Sequence, residues 1–155
     1  MMKVLNEFKC TFPAVSENEA LARACLSAFL IQADPTIQDI ADLRTVISEA
    51  VTNSIAHGYR NSQGEVAICL RLLPEKTIYI RVADKGCGIP DIEQAMQPLF
   101  TTAPEQENHA GLGFAIMTEF TDSFHIRSSP EHGTVLTMRR KLGRTDTLQE
   151  ETLDE

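Results

Sequence analysis

At 155 residues, with 43% apolar and 23% charged side chains, the chain has the size and make-up of one globular domain with a single substantial core. A formal net charge of −8 argues against direct nucleic-acid binding, because affinity for phosphate backbones needs clustered Lys and Arg. No apolar run reaches the length of a membrane span, and Met1 to Glu7 lacks the apolar centre of a signal peptide, so a cytoplasmic protein away from membranes is expected.

The four cysteines (Cys10, Cys25, Cys69, Cys87) form no C-x-x-C pair and have no His at metal-ligand spacing, which points to reduced, mostly packed thiols. A loose alternation from Lys3 to Phe12 predicts a first strand ended by Pro13. Ser16 with Glu17 and Glu19 marks a helix start, and Leu21, Ala22, Cys25, Leu26, Phe29 and Leu30 supply its buried face. After the turn Ala33-Asp34-Pro35, Thr36 is placed to cap a long helix that Gly58 stops. In that helix Ile40, Leu43, Ile47, Val51 and Ile55 form one apolar stripe, while Glu49, Asn53 and His57, at i, i+4 and i+8, form a second, polar one. The polar stripe could line a pocket; a solvated helix face accounts equally for any one member.

Glu65–Leu73 and Thr77–Ala83 read as a hairpin joined through Pro74-Glu75-Lys76. Asp84-Lys85-Gly86-Cys87-Gly88-Ile89-Pro90 follows the second strand directly. Its glycines permit close backbone approach to a ligand, and an Asp at a strand end can accept from an exocyclic amine such as that of adenine; a tight turn with a capping Asp fits the same residues. Asp91 to Met96 suggests a short helix, and Gln97 to Ala110 is a long aperiodic stretch of the kind usually functional or disordered. Gly111-Leu112-Gly113-Phe114 opens a helix through Phe120, either as a phosphate site built from free N–H groups or as a hinge. Ser123–Ser129 and Thr134–Arg140 make a final strand pair, and residues 144–155 read as an acidic, frayed tail beyond a single domain of residues 1–143. Strands and helices grouped in runs predict an α+β two-layer sandwich, a mixed, mostly antiparallel sheet covered on one face by helices.

Taken together, E-x-x-x-N-x-x-x-H, then D-x-G-x-G-I-P, then G-x-G-F, in this order, resemble the ATP-binding fold shared by gyrase, the Hsp90 chaperone, histidine kinases and MutL. Ser48-Glu49-Ala50-Val51-Thr52-Asn53 and Gln97-Pro98-Leu99-Phe100-Thr101-Thr102 resemble, within it, the bacterial serine kinases that act as anti-sigma factors, those of sporulation above all. The likeness runs from about Phe8 to Lys141 and includes Asn18 to Arg23 and Pro35-Thr36, outside the nucleotide motifs.

The resemblance implies ATP or ADP with Mg²⁺ as cofactors, Asn53 as metal ligand and Glu49 as general base toward a serine hydroxyl. It further implies Asp84 at the adenine amine, with Gly86, Gly88 and Ile89 shaping the pocket, Thr134 supporting Asp84, and His57 as a pocket wall or helix-end cap. Gly111, Leu112, Gly113 and Phe114 would offer N–H groups to the phosphates, and Gln97 to Ala110 would form a lid with Thr101 and Thr102 at its start. Arg23 resembles the contact to the sigma factor. The implied partners are a sigma factor of the sigma F type, an anti-anti-sigma protein phosphorylated on serine, and a second copy in a homodimer. Relatives place a Lys where this chain has Ala103 and an Arg near Asn108-His109-Ala110, cations that could hold phosphates or contact the partner. Rival readings are the catalytic domain of a histidine kinase standing alone, a nucleotide-sensing binder without kinase activity, and a stress-response anti-sigma kinase.

Overall fold

The computed structural model describes residues 3–96 and 113–143. The predicted lid, with Thr101 and Thr102, the glycines' neighbours Gly111 and Leu112, and the acidic tail lie outside the described residues.

The elements run β1 (Asn6–Pro13), α1 (Glu17–Leu30), a 3₁₀ turn (Ile31–Ala33), α2 (Ile37–Asn53), a π turn (Ser54–Gly58), β2 (Glu65–Leu73), β3 (Thr77–Asp84), α3 (Ile92–Ala95), α4 (Gly113–Glu119), β4 (Ser123–Ser129) and β5 (Gly133–Lys141). The strands form one five-stranded sheet in the order β1-β2-β3-β5-β4. Every pairing among them is antiparallel, so the sheet is not mixed.

Alternation along the strands sorts the two faces. Val66, Ile68 and Leu70 of β2, Ile78, Ile80 and Val82 of β3, and Leu136 and Met138 of β5 lie buried beneath the helices. From above, α1 contributes Ala22, Leu26 and Leu30, α2 contributes Leu43, Val46, Ile47, Ala50 and Val51, and α4 contributes Met117. Each such Leu or Ile removed from water stabilises the fold by about 1.5–3 kcal/mol. The opposite face carries no helix among the described residues; there the guanidinium carbons of Arg71 and Arg139 lie 5.1 and 5.8 Å from the Tyr79 ring centroid and cover it.

Local chemistry fixes the ends of α2. Thr36 Oγ1 accepts the Asp39 N–H at 3.0 Å while Asp39 Oδ2 accepts the Thr36 N–H at 2.9 Å, a reciprocal capping box. Asp39 is fully buried and also receives Arg140 Nη2–H on Oδ1 at 3.0 Å and the Gly143 N–H on Oδ2 at 2.9 Å. Burial pushes the Asp39 carboxyl upward, but the backbone N–H groups of Thr36 and Gly143 and the Arg140 guanidinium outweigh it and hold the group below its ordinary value. Arg140 Nη1–H donates to Asp42 at 2.8 Å and to the Phe120 carbonyl at 3.1 Å, so one side chain of β5 ties the start of α2 to the end of α4.

Other expectations change as well. β1 starts later and includes Pro13, whose missing N–H costs nothing at the end of an edge strand. Ser16 makes no side-chain cap, because its backbone is already helical at φ −61°, ψ −28°; Asn18 Nδ2–H instead holds the Pro13 carbonyl at 2.9 Å. Leu21 is 49% exposed and Cys25 only half-buried, since the core side of α1 runs through Ala22, Leu26, Phe29 and Leu30.

Candidate functional site

The polar stripe of α2 and the loop after β3 meet through the end of α2. There the α-helix loosens into the π turn Ser54–Gly58, in which Tyr59 N–H reaches back five residues to the Ser54 carbonyl at 2.9 Å. Uniform α-helical spacing therefore holds from Glu49 to Asn53 but not from Asn53 to His57, and His57 turns out of the expected line. A local widening of this kind leaves no trace in hydrophobic periodicity.

The π turn brings Ser54 and Gly58 against Asp84. Ser54 Oγ–H donates to Asp84 Oδ2 at 2.8 Å, and a side chain at Gly58 would meet both Asp84 carboxylate oxygens at 3.0 Å. Asp84 Oδ1 accepts the Gly86 N–H at 2.9 Å and the Thr134 N–H at 3.3 Å. Thr134 stands directly opposite Asp84 in the β3–β5 register, and both residues are buried. Asp84 is thus a buried carboxylate held from three directions, an acceptor with two backbone donors on one oxygen and one hydroxyl on the other.

Glycine in this loop and at the start of β5 answers a steric need. A Cβ on Gly86 would lie 2.2 Å from the Gly58 carbonyl oxygen, and one on Gly133, at φ +79°, would lie 2.2 Å from the Asp84 carbonyl oxygen. Cys87 N–H donates to the Gly58 carbonyl at 2.8 Å, closing the loop onto the π turn. Tyr59 clamps the other side, its hydroxyl accepting the Lys85 N–H at 2.8 Å and donating to the Glu65 carbonyl at 2.6 Å. Ile89 N–H donates to Ser128 Oγ at 2.7 Å.

Glu49 and Gly113 adjoin as well: a Cβ on Gly113 would stand 3.0 Å from Glu49 Oε2. Phe114, next along α4, packs on Phe124 with ring centroids 6.0 Å apart, which fixes α4 against β4. Asn53 sits one turn beyond Glu49, at the last α-helical position. The structure thus gathers Glu49, Gly113 and Asn53 along α2, and His57, Asp84, Gly86 and Thr134 at its end. Among the described residues no three His, Cys, Asp or Glu side chains cluster to hold a metal ion by themselves. Arg23 lies on α1, half-buried, with Nη1–H donating to Ser48 Oγ at 3.0 Å. One helical turn away on α1, Glu19 accepts from Thr52 Oγ1–H at 2.9 Å.

Ser54, Tyr59 and Ser128 were not singled out by sequence. Isolated hydroxyls carry no spacing signal, and only the position of Ser54 beside Asn53 offered a hint.

Burial holds the His57 imidazole below its ordinary value of 6.5. The unfolded chain therefore takes up a proton that the folded chain refuses, and stability falls as pH drops below that value. Urea midpoints between about pH 7.5 and about pH 5.5 should fall less in His57→Asn than in the wild type; equal slopes would remove His57 from the account.

Residues 12–140 match the model of the histidine kinase-like ATPase domain. The anti-sigma F factor of Bacillus licheniformis is 47% identical over 144 residues, covering 92% of this chain and 97% of that protein. That of Bacillus subtilis (strain 168) is 44% identical over 144 residues with the same shares. That of Caldanaerobacter subterraneus subsp. tengcongensis is 46% identical over 143 residues, 92% of this chain and 99% of that protein. Among solved structures, the RsbU and RsbW domains of Rv1364c from Mycobacterium tuberculosis superpose with a TM-score of 0.65 at 23% identity, covering 90% of this chain and 33% of that one. The catalytic domain of the histidine kinase ThkA does so with a TM-score of 0.55 at 17% identity, covering 87% and 96%. These two carry the likeness of fold alone. The chain belongs to the anti-sigma F factor family, built on the histidine kinase-like ATPase domain.

Proposed function

We propose that the chain is an anti-sigma factor that holds a sporulation sigma factor of the sigma F type and uses Mg-ATP to phosphorylate an anti-anti-sigma protein on serine. The observation that carries the nucleotide half is Asp84, a buried carboxylate at the end of β3 enclosed by Gly58, Gly86 and Gly133, where side chains would collide with it or its loop. A carboxylate so fixed reads an amine donor, and adenine has one at C6. Asp84 would take that amine, Gly86, Gly88 and Ile89 would shape the base pocket, and Gly113 and Phe114 would turn N–H groups to the phosphates.

The residues fit a nucleotide-borne Mg²⁺. With no three-acid cluster among the described residues, the ion would arrive on the phosphates and gain Asn53 as an amide ligand, in keeping with the sparse protein ligation Mg²⁺ accepts. When bound it supplies charge neutralisation along the phosphates. Glu49, one turn earlier, would take the proton of the incoming serine hydroxyl, and the rest of the chemistry is positioning.

The two functions share α2. Arg23, the proposed sigma contact, is hydrogen-bonded to Ser48, next to Glu49. Exchanging Arg23 for Glu should weaken sigma factor binding while ATP affinity stays near wild type, read by titrating each ligand separately; parallel loss of both would mean misfolding. A homodimer gripping the sigma factor from both subunits, and a cytoplasmic setting, complete the proposal.

The deciding experiment mixes the protein with Mg-ATP and a candidate anti-anti-sigma protein and looks for phosphoserine. Nucleotide binding without transfer would favour the nucleotide-sensing binder.

A further inference from the structure

The side of the sheet away from the helices is cationic, although the chain as a whole carries a formal net charge of −8. Alternation places Lys9 of β1, Arg71 of β2, Arg81 of β3, Arg127 of β4, and Arg139 and Lys141 of β5 there, because their strand neighbours face the core. The strand residues on that side include two acids, Glu7 and Glu65. Glu7 is taken by Arg71 at 2.5 Å and by Lys9 at 3.4 Å, and Lys141 lies 3.9 Å from Glu75 in the adjoining turn. Arg81, half-buried, and Arg127, exposed, have no anion or acceptor for their guanidinium groups among the described residues.

These two cations flank a lane over β5. Arg81 stands opposite Thr137 on one side, Arg127 stands opposite Val135 on the other, and Arg139 and Lys141 follow toward the end of the strand. Lys141 and Val135 are six positions apart, about 20 Å of strand. Just beyond β5, Leu142 is buried and Asp39 holds the Gly143 N–H, so the chain leaves the rim of the sheet from a fixed point. Gly143, at φ +81° and with nothing within 4 Å of a Cβ placed there, can start a turn toward either face. Residues 144–155 hold Asp146, Glu150, Glu151, Asp154 and Glu155 against Arg144 alone, so half of the chain's net negative charge follows that glycine. Twelve residues extend to at most about 40 Å, enough to round the rim and run the length of the lane.

We propose that residues 144–155 dock along β5 on the cationic face of the sheet, with their carboxylates between Arg81 and Arg127. The same face of a second copy would bring like charges together, whereas an acidic segment tethered beside the lane meets it at an effective concentration of millimolar order. One exposed ion pair contributes little, but several acids on one short segment act together. Salt screens them, so docking weakens as ionic strength rises.

The test records amide NMR spectra of the full chain, with a synthetic peptide of residues 144–155 at the same salt as the reference for an undocked segment. In the wild type at low salt the resonances of Glu150, Glu151 and Asp154 should stand away from those of the peptide. Sodium chloride at about 1 M, where the Debye length is about 3 Å, should bring the two sets together. Arg81→Gln combined with Arg127→Gln should do so without salt. Replacing the five acids by Asn or Gln should move the amides of Thr137 and Val135 and leave those of Leu43 and Ile47 in α2 in place. Should the double Arg variant fail to fold, the neutral-tail variant, altered only beyond Gly143, carries the test from the side of the face. Tail resonances that coincide with the peptide's in the wild type at low salt would overturn the proposal. So would unlabelled wild type restoring the wild-type shifts of Thr137 and Val135 in labelled neutral-tail protein, since the face would then belong to the tail of another copy.

Discussion

Glu49→Gln is expected to slow serine phosphorylation by roughly 10²–10⁴ while ATP affinity stays within a few-fold of wild type. The substitution keeps the shape and removes the proposed base. Shape matters because the Glu49 carboxylate abuts Gly113 so closely that a Cβ there would stand 3.0 Å from Oε2. A smaller residue at Glu49 would disturb the start of α4 and confuse binding with chemistry, whereas Gln fills the same space. Single-turnover transfer to an anti-anti-sigma protein, alongside an ATP titration, separates the two. Normal transfer would strike Glu49 from the chemistry; loss of ATP binding to match would make it a part of the pocket only.

The second large effect concerns stability. Arg140→Met removes the cation that faces Asp39 and Asp42, and Asp39 is fully buried. Leaving a buried carboxylate without its partner costs about 3–5 kcal/mol, far more than the ion pair itself contributes. For a domain of this length that is a fall of roughly 10 °C in Tm, measured by thermal unfolding without nucleotide. Adding Asp39→Asn should recover part of the loss, since the neutral amide can still accept the Thr36 and Gly143 N–H groups without stranding a charge. The folded-state pKa of Asp39 is depressed, so its contribution is present above the unfolded value of 3.8 and disappears as pH falls through the lower, folded one. An unchanged Tm in Arg140→Met would mean that Asp39 and Asp42 are satisfied by other groups.

What the sequence disclosed follows from how each interaction is encoded. Strands β2 and β4 fall on their predicted residues because alternation and flanking turns are local signals. Thr36 caps α2 where it was expected to, for the same reason, whereas its reciprocal partner Asp39 came only with the structure. The Arg140–Asp39 pair is 101 residues apart in sequence and no pattern links the two. Leu21 misled because an apolar residue beside a true core face looks identical in one dimension. In the candidate site, Glu49, Asn53, Asp84, Gly86 and Gly113 stood out as candidates through motif order, and the tight approach of Gly86 to Gly58 gives its place in the loop a steric cause. Ser54 and Ser128 were not legible, since each acts through a single hydroxyl whose partner lies on a different element.

The π turn has a bearing on how the chain can change its length. One end of α2 is pinned by the capping box, the other places Ser54 on Asp84 from its α-helical C-cap, and the widened turn after Ser54 carries Gly58 to the same carboxylate. Removing a residue between Thr36 and Ser54 would rotate Ser54 away from Asp84 or pull Thr36 from Asp39, and adding one would do the same in the other sense. The residue count of this helix is therefore a fixed dimension of the molecule, like the spacing between two rivets, and an insertion or deletion inside it should destabilise the fold more than one in a loop.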